Sequence, residues 1–143
     1  CEVFVFTRGT GHQELARQLG AAWVGQAEDT PPAPLDSAII FAPAGSLVPE
    51  ALRALNKGGT LALAGIYMSQ IPALDYEKHL YYEKSIRSVT ASTRQDGEEL
   101  LHLAAAIPIR NQTQQFPLAE ANQALQMLKA GKINGAGVLA VEQ

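Results

Sequence analysis

The side chains with the most evident chemistry stand near the start of the chain, at Thr7, Arg8 and Gly9. Thr7 offers a hydroxyl group, and Arg8 offers a planar cation whose geometry suits a phosphate group. At the end of the second strand of a dinucleotide-binding sheet, a carboxylate bonds a free ribose 2′-hydroxyl, whereas an arginine accommodates a 2′-phosphate. This turn contains no carboxylate. It therefore has the residues for a ribose-phosphate contact, although spacing alone favours Arg8 as a solvated loop residue.

Other signals of chemistry in the chain are weak. Gly9-Thr10-Gly11 is too short to be a phosphate-cradling loop. The histidines His12, His79 and His102 have no second His, Cys or Glu at metal-ligand spacing. No serine lies in a nucleophile elbow. We therefore predict no catalytic residue and no metal ligand in this chain, and only a possible nucleotide-binding edge.

The composition excludes several classes of partner. The formal net charge of -3 gives no electrostatic reason to bind nucleic acid or an anionic membrane. No apolar run approaches the roughly 20 residues that a membrane helix needs. The 143 residues, 47% of them hydrophobic, suffice for one core of ordinary size. The single cysteine, Cys1, excludes an internal disulfide and fits a reducing, cytoplasmic setting.

Short apolar runs alternate with amphipathic segments along the first hundred residues. Runs without polar alternation are typical of strands buried on both faces of a parallel sheet. Such strands are predicted at residues 3–6, 38–42 and 60–64, with an edge strand at 21–24 and a β-branched strand at 85–91. The alternation with helices predicts right-handed βαβ units and a mostly parallel sheet.

Helices are predicted from apolar residues that recur at helical spacing. They fall at residues 12–19, at 98–107 before Pro108, and around Val48, Leu52 and Leu55. For the last of these, Ser46 is the expected N-cap and Lys57-Gly58-Gly59 the expected end. Residues 68–84 show no clean period, so their structure is left open. After residue 111 an exposed strand at 112–117, a helix bearing Ala121, Ala124, Leu125 and Leu128, and a closing strand at 135–141 are expected.

The order of these segments resembles that in a known family. Residues 2–9 (EVFVFTRG) and 14–24 (ELARQLGAAWV) resemble the second strand and helix of the coenzyme domain in zinc-dependent alcohol dehydrogenases of the medium-chain dehydrogenase/reductase family. Residues 52–65 are similar to that family's passage into its fifth strand, and 116–125 (FPLAEANQAL) to its C-terminal return segment. The resemblance covers essentially the whole chain. It implies an α/β fold with a Rossmann-like, doubly wound, mostly parallel sheet that is incomplete at its N-terminal edge.

The resemblance also implies a function and a set of coenzyme contacts. The function is hydride transfer between NADP or NAD and a small-molecule alcohol or aldehyde. Because the family often has a carboxylate at the position of Thr7 when it uses NAD, the turn favours NADP. The implied contacts are Thr7, Arg8 and Gly9 at the ribose, Ala42 and Pro43 on the adenosine side, Gly65, Ile66 and Tyr67 over the nicotinamide, and Ala91 and Ser92 at its carboxamide.

The family's first coenzyme-domain strand, its glycine-rich turn and its zinc ligands have no counterpart in the sequence. We therefore expect a C-terminal fragment, inactive alone, whose zinc would be held only by an N-terminal part that precedes Cys1. Residues 1–107 would be a partial Rossmann domain, and 108–143 a segment that packs on the catalytic domain. Faces left uncovered by the missing parts, including that of Phe116, Leu125, Leu128 and Val138, predict a homo-oligomer.

Two alternatives remain open from the sequence. One is a zinc-free quinone or enoyl reductase of the same family, which only the residues before Cys1 would distinguish. The other is a non-enzymatic α/β interaction domain that is complete as it stands, forms a stable monomer and has no affinity for dinucleotides.

Overall fold

The computed structural model describes residues 1–107, 109 and 111–141, in which strands and helices alternate. The elements are β1 Phe4–Phe6, α1 Thr10–Gln18, β2 Trp23–Gly25, β3 Leu35–Ile40, α2 Leu47–Ala54, β4 Leu55–Leu63, α3 Tyr76–His79, β5 Ser85–Ser88, α4 Arg94–Ala106, β6 Thr113–Pro117, α5 Ala121–Lys129 and β7 Ala136–Ala140. A short 3-10 turn, Leu118–Glu120, precedes α5. No helix in this part of the chain is both long and apolar enough to cross a bilayer.

Every strand pair in the described residues is parallel, which confirms the predicted α/β class. The strands form three small sheets, in the orders β1-β2, β3-β4-β5 and β6-β7. Within the described residues, β1 therefore pairs only with β2, and β3 only with β4. The single continuous sheet that the sequence suggested is divided, because no described strand lies between β1 and β3.

The main core lies between α2 and the strands β3 and β4. The predicted face of Val48, Leu52 and Leu55 is confirmed, with exposures of 0%, 0% and 4%. Ile40 and Leu61 complete this cluster from the sheet. An apolar face at helical spacing thus docks on the apolar side of a parallel pair, and removal of this surface from water is the main stabilising contribution here.

The predicted C-terminal end of α2 is wrong, whereas Ser46 lies at the predicted N-cap position. The helix ends at Ala54 instead of at Lys57-Gly58-Gly59, since Leu55 has an extended backbone and pairs with Leu35 as the first residue of β4. Ser46 precedes the helix as expected, but its side chain makes no capping hydrogen bond. Its backbone is already helical (φ −61°, ψ −20°), whereas a capping side chain normally needs an extended backbone at that position.

The prediction that the apolar strands are buried on both faces is wrong. Residues of β1 are only half-buried, and Val3 before it is 53% exposed. In and after β3, Ile39 and Phe41 are 59% and 74% exposed. A helix covers one face of β3 and β4, so that alternate side chains on the other face remain in contact with solvent.

The helix α1 follows the prediction closely, but its apolar face does not. Ala16 is buried, whereas Leu19 is 55% exposed. Leu19 is the C-cap, and the amides of the next two residues bond back to Arg17 and Ala16. These two bonds form a Schellman motif, which turns the chain and carries Leu19 off the buried face.

The C-terminal strands and helix form a second, smaller core. Phe116 is 5% exposed and packs with Ala124 and Ile133, which corrects the expectation that Phe116 would lie uncovered. Leu125 and Leu128 of α5 are each 61% exposed, as expected. Val138 is 41% exposed.

The helix α4 was predicted from a stripe of apolar residues that the structure leaves in solvent. Leu100, Leu103 and Ile107 are 58%, 53% and 51% exposed, and the helix has no buried residue. Periodicity identified the helix, but a stripe is buried only where another element lies opposite. The predicted domain boundary falls at Pro108, which is outside the described residues.

Candidate functional site

The carboxyl ends of β3, β4 and β5 share one edge of the central sheet, because these three strands are parallel neighbours. Each strand is followed by a turn, at residues 41–46, 64–69 and 89–92. In open α/β sheets this is the edge where ligands bind. Of the ten residues predicted as coenzyme contacts, seven lie in these three turns: Ala42, Pro43, Gly65, Ile66, Tyr67, Ala91 and Ser92.

The turns after β3 and β4 are in direct backbone contact. The carbonyl oxygen of Ile40 accepts hydrogen bonds from the amides of Ala64 (2.9 Å) and Gly65 (3.1 Å). A Cβ atom placed on Gly65 would lie 2.8 Å from the carbonyl oxygen of Ala42. Only a glycine therefore lets the chain leave β4 so close to the exit of β3.

An open cleft of about 420 Å³ lies beside this contact, between the ends of β4 and β5. It is lined by Leu63, Gly65, Ile66, Met68, Ser69, Ile71, Ser88, Val89 and Thr90. Its size lies within the range of small-molecule sites, and its lining of apolar side chains with a few hydroxyl groups is typical of them. None of these side chains is an acid or a base in the physiological range, so the cleft has the chemistry of binding and orientation.

The turn after β4 presents its side chains outward at the rim of this cleft. Ile66 is 75% exposed and Tyr67 is 96% exposed. Tyr67 has a φ of 55°, in the left-handed region that a bulky residue rarely adopts. The described contacts of the turn thus hold a solvent-facing tyrosine in an unfavourable backbone conformation, which is a feature that clusters at functional sites.

The amides at the start of α2 are occupied within the protein. Those of Leu47 and Val48 bond the carbonyl oxygens of Ala44 and Gly45, both at 3.1 Å. The amide of Ala44 donates to the carbonyl of Ala42 at 2.8 Å, and that of Gly45 to Ser69 Oγ at 2.9 Å. This helix start therefore offers a wall to a ligand, and not the free amides that bind a phosphate group.

The remaining predicted contacts lie at the exit of β1. The amide of Thr7 donates to the carbonyl of Gly25 (2.9 Å), and Gln13 Nε2 donates to the carbonyl of Thr7 (2.9 Å). These bonds fix the backbone of the turn, while the Arg8 side chain points into solvent. In the part of the chain that the structure describes, no carboxylate lies within ion-pair distance of Arg8. Its cation is therefore available to an anionic ligand.

The structure brings some of the predicted residues together and leaves others apart. Ala42 and Pro43 meet the turn that begins at Gly65. Ala91 and Ser92 are exposed and follow Thr90, so the cleft is lined one or two residues earlier than predicted. Residues 7–9 follow β1, a strand of the first sheet. Among the described residues, no hydrogen bond links them to the turns after β3 and β4.

Sequence reasoning missed the cleft residues between Met68 and Ile71. They lie in the segment whose period could not be assigned, and no local pattern distinguishes them. Val89 and Thr90 were missed because the predicted strand at 85–91 runs too far, whereas β5 ends at Ser88. In the described residues, no three His, Cys, Asp or Glu side chains are grouped closely enough to hold a metal ion.

The structure thus defines a class of protein: parallel strands joined by helices, with a ligand-sized cleft at their carboxyl edge, make a Rossmann-like α/β protein. No protein-family model matches the chain. It is 50% identical over 140 residues to the "Probable alcohol dehydrogenase AdhA" of Mycobacterium tuberculosis, a match that covers 98% of this chain and 40% of the relative. The chain is therefore homologous to alcohol dehydrogenases, and it spans about 40% of the length of that relative.

Solved structures share the fold at low sequence identity. The alcohol dehydrogenase zinc-binding domain protein from Burkholderia ambifaria superposes with a TM-score of 0.79 at 18% identity, over 99% of this chain and 42% of that one. CAD from Helicobacter pylori, solved in complex with NADP(H), gives a TM-score of 0.79 at 19% identity, over 96% of this chain and 40% of that one. These matches confirm the Rossmann-like fold.

Proposed function

We propose that this chain is the coenzyme-binding part of an NADP(H)-dependent alcohol dehydrogenase that acts on small alcohols and aldehydes. The observation that carries the proposal is the cleft at the carboxyl edge of the sheet, where the backbone of Gly65 closely approaches that of Ala42. It occurs in a chain that is 50% identical in sequence to AdhA over 140 residues. When bound, the coenzyme supplies or accepts a hydride. The role of this chain is to bind the coenzyme, to orient it and to exclude water from one side of it.

Each predicted contact receives a role in this proposal. Thr7, Arg8 and Gly9 bind the adenosine ribose and its substituent. Ala42 and Pro43 form the wall on the adenosine side. The turn of Gly65, Ile66 and Tyr67 lies over the nicotinamide, and backbone groups near Ala91 and Ser92 meet its carboxamide. The tight backbone contact between two of these turns supports their assignment to one ligand.

The preference for NADP over NAD rests on Arg8. Its guanidinium is exposed, the turn has no carboxylate, and a planar cation binds phosphate oxygens in pairs. The coenzyme in the structurally similar CAD of Helicobacter pylori is also NADP(H). The side chain of Thr7 is small and neutral, so a 2′-phosphate would meet no like charge there.

The protein needs residues beyond this chain to be active. In the Rossmann strand order 3-2-1-4-5-6, β1 corresponds to strand 2 and β3 to strand 4, so one further strand belongs between them. The edges that β1 and β3 leave unpaired among the described residues support this placement. Residues 108–143 would pack on a catalytic domain. Zinc, if the parent enzyme uses it, would have its ligands there, and we assign no step to a metal. A cytoplasmic location is part of the same proposal.

The test compares the 143-residue chain with the longest polypeptide that its gene encodes, which is called the long polypeptide below. NADPH and NADH binding is titrated by fluorescence, and oxidation of a panel of primary alcohols is assayed with NADP. We expect the long polypeptide to bind NADPH more tightly than NADH and to oxidise alcohols. We expect the 143-residue chain to be inactive. Reduction of quinones or enones without activity on alcohols would favour the reductase alternative. A stable monomer that binds neither dinucleotide in either form would overturn the proposal.

A further inference from the structure

Ser69 makes two hydrogen bonds that join the turn after β4 to the turn after β3. Its Oγ accepts a hydrogen bond from the amide of Gly45 at 2.9 Å, and its own amide donates to the carbonyl of Pro43 at 3.2 Å. The partners are 24 residues apart for the first bond. Sequence analysis gave Ser69 no role, and it lies outside the predicted set of coenzyme contacts.

The two turns are close enough that a side chain would not fit between them. A Cβ atom on Gly45 would lie 2.3 Å from the carbonyl oxygen of Ser69 and 2.4 Å from that of Gln70. Both obstacles are backbone atoms, which cannot move aside as the end of a flexible side chain can. Gly45 therefore permits the approach, and the two bonds of Ser69 hold it.

These bonds act on the segment that overhangs the cleft. At the start of the turn of residues 65–69, the amide of Gly65 donates a hydrogen bond to the carbonyl of Ile40. At its end, Ser69 is hydrogen-bonded to the carbonyl of Pro43 and to the amide of Gly45. Between these points Ile66 and Tyr67 are mostly exposed, and Tyr67 has the left-handed φ of 55°. Burial does not hold these two residues, so their position depends on the attachments at the two ends.

We propose that Ser69 is a positioning residue for the nicotinamide end of the coenzyme, acting through Ile66 and Tyr67; this inference rests on the proposed function. Ser69 holds the turn in the arrangement that places these residues at the rim of the cleft. Without its hydroxyl group the amide of Gly45 loses its partner, and the turn loses one of its two attachments at that end. The adenosine half should depend less on this hydroxyl group, because the amide of residue 69 still donates to the carbonyl of Pro43 when the hydroxyl group is removed.

The test uses the long polypeptide of the gene and two probes that differ only in the nicotinamide: NADPH and 2′-phospho-ADP-ribose. For Ser69→Ala we expect binding of NADPH to become 5-fold to 20-fold weaker, and binding of 2′-phospho-ADP-ribose to change less than 2-fold. Ser69→Thr, which keeps the hydroxyl group, should restore NADPH binding to within 3-fold of the wild type. Ser46→Ala is the matched control, because that serine is exposed and makes no capping bond.

Each outcome decides the matter. Equal weakening of both probes by Ser69→Ala, or no rescue by Ser69→Thr, would show a merely structural role and overturn the inference. Unchanged NADPH affinity in Ser69→Ala would overturn it as well. If Ser69→Ala does not fold, Ser69→Cys, whose thiol is only a weak hydrogen-bond acceptor, is measured with the same two probes, and equal weakening of both would again overturn the inference. A wild-type protein that binds neither probe would overturn the proposed function itself.

Discussion

The backbone of Gly65 is so close to that of Ala42 that a Cβ atom added to Gly65 would be 2.8 Å from the Ala42 carbonyl oxygen. The three nearest atoms are all backbone atoms of Phe41 and Ala42, so Gly65→Ala must push the exits of β3 and β4 apart. We expect a loss of about 1–3 kcal/mol in the free energy of unfolding, measured with urea.

Gly97→Ala is the matched control for this change. Gly97 lies inside α4, and a Cβ atom there would meet nothing within 4 Å. Alanine is the better helix former, so this variant should gain about 0.5–1 kcal/mol. Equal effects of the two substitutions would contradict the close approach of the turns.

Arg8→Asp should reverse the coenzyme preference of the long polypeptide. It removes a charge-assisted contact to the 2′-phosphate, which is worth about 1.5–3 kcal/mol, and adds a like charge. We expect NADPH to bind about 10-fold to 100-fold more weakly, with NADH binding unchanged or tighter. Arg17→Asp makes the same charge change in the last turn of α1 and should leave the ratio of the two affinities unchanged. An unaltered ratio in Arg8→Asp would refute the role of Arg8.

Leu52→Ala should destabilise the 143-residue chain strongly. Leu52 is 0% exposed between α2 and the central sheet, and a buried Leu→Ala change costs about 2–5 kcal/mol through lost burial and the cavity left behind. Leu101→Ala, at a leucine 71% exposed on α4, should change the free energy of unfolding by less than about 0.5 kcal/mol. Chemical denaturation of both variants measures the difference, and similar costs would contradict the assigned core.

The start of α4 should weaken in acid through Asp96. Thr93 and Asp96 form a capping box, in which the Thr93 amide donates to Asp96 Oδ2 at 2.6 Å and the Asp96 amide to Thr93 Oγ1 at 3.2 Å. The hydrogen bond from the Thr93 backbone, with that from its side chain, lowers the pKa of Asp96. The stabilisation is therefore complete above the ordinary aspartate pKa of about 3.9, and it is lost as the pH falls through the lower folded pKa.

Amide hydrogen exchange of α4 between pH 2 and pH 6 measures this effect. Asp96→Asn should speed exchange in the first turns of α4 near pH 6 and should resemble the wild type at the acid end, after correction for intrinsic rates. Glu98→Gln, on the same helix but outside the capping box, should behave as the wild type throughout. A wild-type profile in Asp96→Asn would show that the carboxylate does not stabilise the helix.

The exposed face of α5 should make the 143-residue chain self-associate. Leu125 and Leu128 are each 61% exposed on one side of the helix, with Val138 of the adjoining strand also partly exposed. Light scattering at micromolar concentration should give a mass above the 15.3 kDa of one chain. Leu125→Glu with Leu128→Glu should return it to a monomer, whereas Gln126→Glu, which adds charge beside this face, should not. A clean wild-type monomer would contradict the prediction.

Local pattern was sufficient for much of the fold. The spacing of Val48, Leu52 and Leu55 identified the buried face of α2, because helical periodicity is a property of neighbouring residues. The assignment of Leu55 to the helix was nonetheless wrong. This residue pairs with Leu35, twenty positions earlier, and a backbone partner that distant leaves no mark in the local sequence.

The candidate site shows the same division. Gly65 could be predicted as a turn residue because it follows an apolar strand, and Arg8 because an arginine in such a turn has recognisable chemistry. Ser69 could not be predicted, since its meaning lies in a hydrogen bond to Gly45 across 24 residues. Nor could the exposure of Phe41, which depends on whether another layer covers that face of the sheet.

The sequence by itself determined the alternation of strands and helices and the parallel α/β class, which follow from local propensity, periodicity and residue type. The resemblance to alcohol dehydrogenases rested on the order of whole segments along the chain. Only the tertiary structure decided that the described strands divide into three sheets, that Gly65 meets Ala42, and that Ser69 joins the turns after β3 and β4. Each of these depends on which distant backbone groups come within hydrogen-bond or contact distance, and the chain acquires those distances only when it folds.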